Sequence, residues 1–310
     1  MNNDFSCLRI FCHQVVSKYG GLQGVSEEQI AKEFRALYFR NLPLNLKTLK
    51  TVAAMCGIEL KGLARMPGSM RGYHEVYDDR IIIYFKSGDS SSGIQNTILH
   101  EMREIIETLV ADTNPGYTPL RTTARHIAAN KFASAVLLPE ETFRGKVYQT
   151  GLDVMTLSKI YSKSCSQVLL RMGEVLQGRL FFYAALYEPE PDSETAWQVS
   201  YRTVSYNEED PDSNFRGGEG FLPRKGRPVL PGSLADMAIQ SKKAYMVRQI
   251  SVLDDMTDEG LTAIARPLID PDAGTLMVAE VILLSHDSHV LGPQIDRVKP
   301  VMVGHFHRHI

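Results

Sequence analysis

Apolar positions between residues 94 and 110 (Ile94, Ile98, Met102, Ile105 and Leu109) recur at intervals of three and four, which predicts one buried face of a long helix. Asp112 to Pro119 breaks the pattern, and a second helical run extends from about Thr122 to Leu138, stopped by Pro139. Its small residues Ala124, Ala128, Ala129, Ala133 and Ala135 would let another helix approach closely. Upstream, to about residue 66, helical patterns alternate with short polar breaks. Ser26 before Glu27 and Glu28 marks a helix start, and Leu46 to Cys56 has helical spacing ended by Gly57. Residues 73–86 change texture. Tyr73–Tyr77 and Ile81–Phe85 read as two β-rich runs around the polar pair Asp78-Asp79. The loop at Gly88 to Gly93 offers Ser91 or Ser92 as the cap of the helix that follows.

Residues 153–177 have the pattern of a helix–turn–helix. Beyond Arg179 the chain consists of β-rich runs (FFYAALYEPE, AWQVSYRTVSY, KKAYMVRQI, LTAIARPLI, GTLMVAEVILLS) separated by Pro, Gly and Asp, with a helix at Leu234 to Ser241. This half predicts an α/β domain with a mostly antiparallel sheet, and a boundary near residues 178–179. The aromatic residues Phe181, Phe182, Tyr183, Tyr187, Trp197, Tyr201 and Tyr206 are read mainly as sheet core, with a ligand pocket as the alternative. The overall class is α+β.

Composition narrows the choices. The 310 residues are 44% hydrophobic and 23% charged, which excludes disordered and collagen-like classes. A net charge of −2 gives no global support for nucleic-acid or anionic-membrane binding. The four cysteines form no CxxC pair, which fits a reducing cytoplasm. The first residues do not read as a signal peptide, and no apolar stretch approaches the roughly 20 residues of a membrane span, so a cytoplasmic protein without membrane association is expected.

The chemistry concentrates in Ile98-Leu99-His100-Glu101-Met102-Arg103-Glu104. Positions i and i+4 of a helix share a face, so His100 and Glu104 can grip one ion, with Glu101 one step round as a general base. Zincins carry His-Glu-x-x-His; here Glu104 stands where the second histidine would be. Alone, His-Glu-x-x-Glu is a weak signal. The alternative is a structural histidine beside a solvated acidic face.

The segment Arg125-His126-Ile127-Ala128-Ala129-Asn130-Lys131-Phe132-Ala133-Ser134-Ala135-Val136-Leu137-Leu138-Pro139 resembles a second helix found in ImmA/IrrE metallopeptidases, where the motif reads approximately Glu-x-x-Ala-Asn-x-Phe-Ala-x-x-Leu-Leu-x-Pro. The match puts His126 where the family has its glutamate ligand. The resemblance thus implies a metal site of His100, Glu104 and His126 in which two departures cancel, since both sets supply two imidazoles and one carboxylate. It implies zinc, with manganese as the other candidate, and Glu101 as the catalytic base. Tyr73, Tyr77, Tyr84, Arg103 and Arg121 are open candidates for stabilising an oxyanion. By analogy, Ile81–Phe85 would be the edge strand on which a peptide substrate lies.

Long ImmA/IrrE proteins are similar in overall plan. The resemblance implies a zincin-like metallopeptidase domain with a small β-sheet (1–145), a helix–turn–helix-like bridging segment (146–178) and a GAF-like sensor or interaction domain (179–310). The expected activity is a metalloendopeptidase of a stress response. Its expected partner is an intracellular protein substrate, typically a helix–turn–helix transcriptional repressor. The GAF-like domain would bind a small molecule or form a homodimer. The alternative is a non-catalytic sensor and transcription regulator with a relic peptidase fold. Whether residues 153–177 contact DNA is left open by their sparse basic residues, Lys159, Lys163 and Arg171. The alternating His305, His307 and His309 are read as a terminal tail, His286 and His289 as solvent-facing, and Gly217–Gly220 and Glu259-Gly260 as turns.

Overall fold

The computed structural model describes residues 6–40, 44–68, 70–77, 80–190, 193, 195–209, 223–250, 261–272, 274–295 and 299–300. The chain divides into two units, 1–140 and 141–310, and its class is α+β. The histidines at 305, 307 and 309 and the glycine-rich turns at 217–220 and 259–260 lie outside the described residues.

The first unit comprises α1 (Ser6–Tyr19), α2 (Glu27–Tyr38), α3 (Leu46–Met55), β1 (Ile58–Leu63), β2 (Gly72–Tyr77), β3 (Arg80–Lys86), α4 (Ser91–Thr113) and α5 (Thr122–Leu137). Local chemistry sets the helix ends. Ser26 caps α2 through a capping box with Gln29, and Asn45 does the same for α3 with Thr48. Past Cys56, which closes α3, Gly57 takes the left-handed conformation at φ +71° that glycine adopts without strain. The cap of α4 is Ser90, whose hydroxyl accepts from the Gly93 amide. Ser91 and Ser92, the expected caps, sit in the first turn instead. α5 has no side-chain cap at its start, but at its end the Arg35 guanidinium of α2 donates to the Val136 carbonyl.

The sheet order is β1-β3-β2, with β1 parallel and β2 antiparallel to β3. Two expectations need correction. β1 falls in a stretch read as helical patterns with short polar breaks, and β3 (with Ile81–Phe85) is the central strand, not an edge; among the described residues the strands with an unpaired side are β1 and β2. Alternation sends Ile81, Ile83 and Phe85 of β3 into the core, and these have at most 7% exposure. Beneath the sheet, α4 is buried along most of its length, and Ile98, Met102, Ile105 and Ile106 are fully enclosed.

The second unit begins at the first turn of α6 (Glu140–Thr150). It continues with α7 (Val154–Tyr161), α8 (Cys165–Leu176), β4 (Phe182–Pro189), β5 (Trp197–Ser205), α9 (Leu234–Ser241), β6 (Tyr245–Ile250), β7 (Leu261–Ile269), β8 (Leu276–Leu284), a 3-10 helix over Ser285–Leu291, α10 (Gly292–Ile295) and β9 (Lys299–Pro300). The sheet order is β5-β4-β8-β7-β6-β9. Every neighbouring pair is antiparallel except β6 with β9. α9 covers one face, where Leu234, Ala235 and Ala238 pack with Tyr183, Tyr187, Ala263 and Val278. α8 lies on the other face: a Cβ on Gly173 would fall 1.8 Å from the Thr203 hydroxyl of β5, so glycine is what lets helix and strand meet. Phe181, Tyr183 and Tyr187 are core members, with Trp197 and Tyr206 packed against them.

α7 and α8 form the expected helix–turn–helix pattern, joined through Ser162 in the left-handed conformation. Asp153 caps α7 and pairs with Arg266 of β7, while Asp270 accepts from the Cys165 amide at the start of α8. Two of the segment's three basic side chains, Lys163 and Arg171, are 2% exposed. His286 and His289 are exposed on the 3-10 helix, and all four cysteines are free. Among the described residues no helix is long and apolar enough to cross a membrane.

Candidate metal centre

Two i, i+4 pairs face one another across α4 and α5. His100 and Glu104 project from α4, and His126 and Asn130 from α5. Ala128, Ala129 and Ala133 of α5 are buried, and so small a face brings the two helices near enough for short side chains to meet. His100 Nε2 lies 3.3 Å from Glu104 Oε1, and His126 Nδ1 lies 3.5 Å from the same oxygen. The imidazole rings meet edge to face, their centroids 4.3 Å apart. One ligand atom from each of the three residues falls within 4.8 Å of the others.

This donor set fits a metal. Zinc ligands stand about 2.0–2.2 Å from the ion, so tetrahedral neighbours are separated by roughly 3.4 Å. The separations of His100 and His126 from Glu104 Oε1, 3.3 and 3.5 Å, match that spacing. The second ring nitrogen of His100 is also committed, as Nδ1 sits 2.9 Å from Asn130 Oδ1. The amide oxygen can only accept, so Nδ1 is the donor to Asn130, and Nε2 is the nitrogen left facing Glu104, donating to it when protonated and able to ligate an ion when not. This is the outer support that metal-binding imidazoles need.

Burial grades across the site. The side chains of His100 and Glu104 are 8% and 19% exposed, that of His126 65%. The ion's position would be enclosed by α4 and open beside His126. The hydrogen bond from His100, working against burial, holds the Glu104 carboxyl below the usual carboxylate range. Burial disfavours the charged form of His100, but its bond to Glu104 and the charges of Glu101 and Glu104 outweigh that cost and raise its pKa. The cluster therefore attracts positive charge, whether proton or metal, and the two compete.

Glu101 is directed to a different partner. Its Oε2 lies 2.7 Å from Nδ1 of His74 on β2, and His74, Glu101 and Glu104 form a second group with ligand distances. Sequence reasoning missed His74. The available signal was strand alternation, which separates it from Tyr73 and Glu75, but nothing local says which helix that face meets. The role of Asn130 was missed as well, although it stands four residues from His126.

Several candidates for oxyanion stabilisation fall away. Arg103 is 1% exposed, held on Glu27 by two 2.8 Å hydrogen bonds and on Glu107 at 2.7 Å. Tyr73, Tyr77 and Tyr84 occupy the sheet face opposite His74: Tyr73 pairs with Tyr84 in register and stacks on it at 4.6 Å. Arg121 is exposed at the start of α5.

The fold is α+β, and its three-residue donor cluster between two helices could hold a metal ion. No protein-family model matches the chain, and no curated protein matches it. Among solved structures the chain is similar to a Mycobacterium tuberculosis transcriptional regulator, at TM-score 0.56 and 14% identity, covering 96% of this chain and 89% of that one. At that identity the likeness is one of fold.

Proposed function

We propose that the chain is a metal-dependent endopeptidase of the ImmA/IrrE type, with zinc held by His100, Glu104 and His126 and with Glu101 as general base. The observation that carries this reading is the spacing of the three donors about Glu104 Oε1, with Asn130 fixing the His100 tautomer. Two imidazoles favour zinc over manganese, which prefers oxygen ligands. When bound, zinc supplies Lewis acidity to the attacking water and the scissile carbonyl. The protein's own part is then acid–base work and positioning. Glu101 takes the water's proton and passes it to the leaving amine. The free side of β2, the strand that carries His74, is where an extended substrate backbone would pair. The substrate class is an intracellular protein, with a helix–turn–helix repressor as the first candidate, and the GAF-like second unit would sense a signal or recruit that substrate.

The test is Glu101→Gln. It should leave about one equivalent of zinc in place and abolish cleavage of a repressor encoded beside the gene. Cleavage at the wild-type rate would remove Glu101 from the mechanism.

A second reading, a transcription regulator without peptidase activity, is favoured by the fold likeness to a protein so described. Burial of Lys163 and Arg171 argues that α7 and α8 are not its DNA-reading surface. A metal-independent, salt-sensitive gel shift with no proteolysis would select it.

A further inference from the structure

β2 meets α4 along matched stripes. Gly72 and His74 lie on one face of the strand, and Thr97 and Glu101, four apart, lie on one face of the helix. At the first contact a Cβ on Gly72 would stand 2.2 Å from Thr97 Cγ2 and 2.8 Å from the Tyr84 carbonyl. Strand and helix are therefore as close as a glycine permits. The second contact, one strand repeat further on, is His74 Nδ1 to Glu101 Oε2 at 2.7 Å. Both side chains are largely enclosed, at 18% and 9% exposure, so water screens their interaction little.

From this geometry we infer that His74 is a positioning residue for the general base. Its Nδ1–H donates to Oε2 of Glu101, fixes the carboxylate rotamer, and leaves Oε1 to receive the proton from water. His74 keeps its own proton throughout. The inference rests on the reading of Glu101 as base. Its competitor is also visible: His74, Glu101 and Glu104 could instead ligate a second ion. The two roles differ in one observable respect, because a ligand Nδ1 must give up its proton and a positioning Nδ1 must keep it.

Two measurements on the full chain, loaded with zinc, decide the matter. Long-range proton–nitrogen spectra of the His74 ring, assigned by its loss in His74→Asn, should show the proton on Nδ1. A metal-shifted Nδ1, or two equivalents of zinc falling to one in His74→Ala, would make His74 a ligand and overturn the inference. The second measurement is hydrolysis of a quenched fluorescent peptide mixture. His74→Ala should lower kcat about 10–100-fold, the usual cost of losing an outer support, while KM and zinc content stay within about twofold. His74→Asn, whose Nδ2–H can replace the imidazole Nδ1–H, should recover kcat to within about threefold of wild type. If wild type cleaves, Glu101→Gln does not, and His74→Ala cleaves at full rate, the positioning role fails and the peptidase reading stands. If zinc-loaded wild type cleaves nothing, both fail together.

Discussion

The side chain of Asn130 touches no substrate in the proposed mechanism, yet its Oδ1, 2.9 Å from His100 Nδ1, determines which nitrogen of that histidine faces Glu104. One amide on α5 thereby sets the chemistry of a proposed ligand on α4. Asn130→Ala should weaken zinc binding about 10–100-fold, read by competition with a chromophoric chelator. Asn130→Asp, which keeps an acceptor, should weaken it far less. Equal affinities for wild type and Asn130→Ala would show that the contact does not orient the ring.

Glu104 lies between two imidazoles, one on its own helix and one on its neighbour, at 3.3 and 3.5 Å. Exchanging the partners should therefore be tolerated. Glu104→His and His126→Glu singly should each lose most bound zinc, and the double exchange should recover about one equivalent by elemental analysis. A double variant as empty as the singles would mean that the donors are not equivalent in reach.

Arg103 anchors the other side of α4. It is enclosed between Glu27 and Glu107, and Glu107 also accepts from the Tyr117 hydroxyl and the Leu120 amide. Arg103→Met strands two carboxylates in a buried site and should cost about 3–5 kcal/mol in urea denaturation of the first unit. A loss below about 1 kcal/mol would show that water reaches this network.

In the second unit Glu280 of β8 is 3% exposed and accepts from the Tyr187 hydroxyl. Burial, opposed only in part by that bond, pushes its pKa up from 4.5 to about 7. A carboxyl raised in the folded state favours folding while it is protonated. Its contribution is complete below about pH 4.5 and is lost as pH rises toward 7, on the order of 3 kcal/mol across that window. Denaturation followed from pH 5 to 8 should show this loss, and Glu280→Gln should flatten the curve. An unchanged slope in the variant would assign the pH dependence to other groups.

How much of this was legible in the sequence depends on how local each cause is. α4 and α5 were readable because Ile94, Ile98, Met102 and Ile105 repeat at helical spacing and Pro139 ends the second run. His100 and Glu104 followed from the same geometry, whereas His126 needed the resemblance, since no spacing rule links residues 22 positions apart on different helices. β1 was missed because Ile58-Glu59-Leu60-Lys61 is a short alternation beside a helix, and its partner β3 lies more than 20 residues on. The central place of β3 was hidden for the same reason. His74 reaches Glu101 only after strand and helix dock, so its contact is written in Gly72 and Thr97 as much as in His74 itself.

α4 carries two kinds of cargo on adjacent stripes: His100 and Glu104 on one, Arg103 and Glu107 on the next. Each residue of an α-helix advances the rotation by about 100°, so the two stripes share a single phase. Inserting or deleting one residue between 100 and 107 would turn one stripe away from its partners whichever way the helix settled. The same change in the exposed turn around Gly88, where a Cβ would meet nothing within 4 Å, leaves both in step. Length variation among descendants of this chain should therefore collect before α4 and after it, with none inside those two turns.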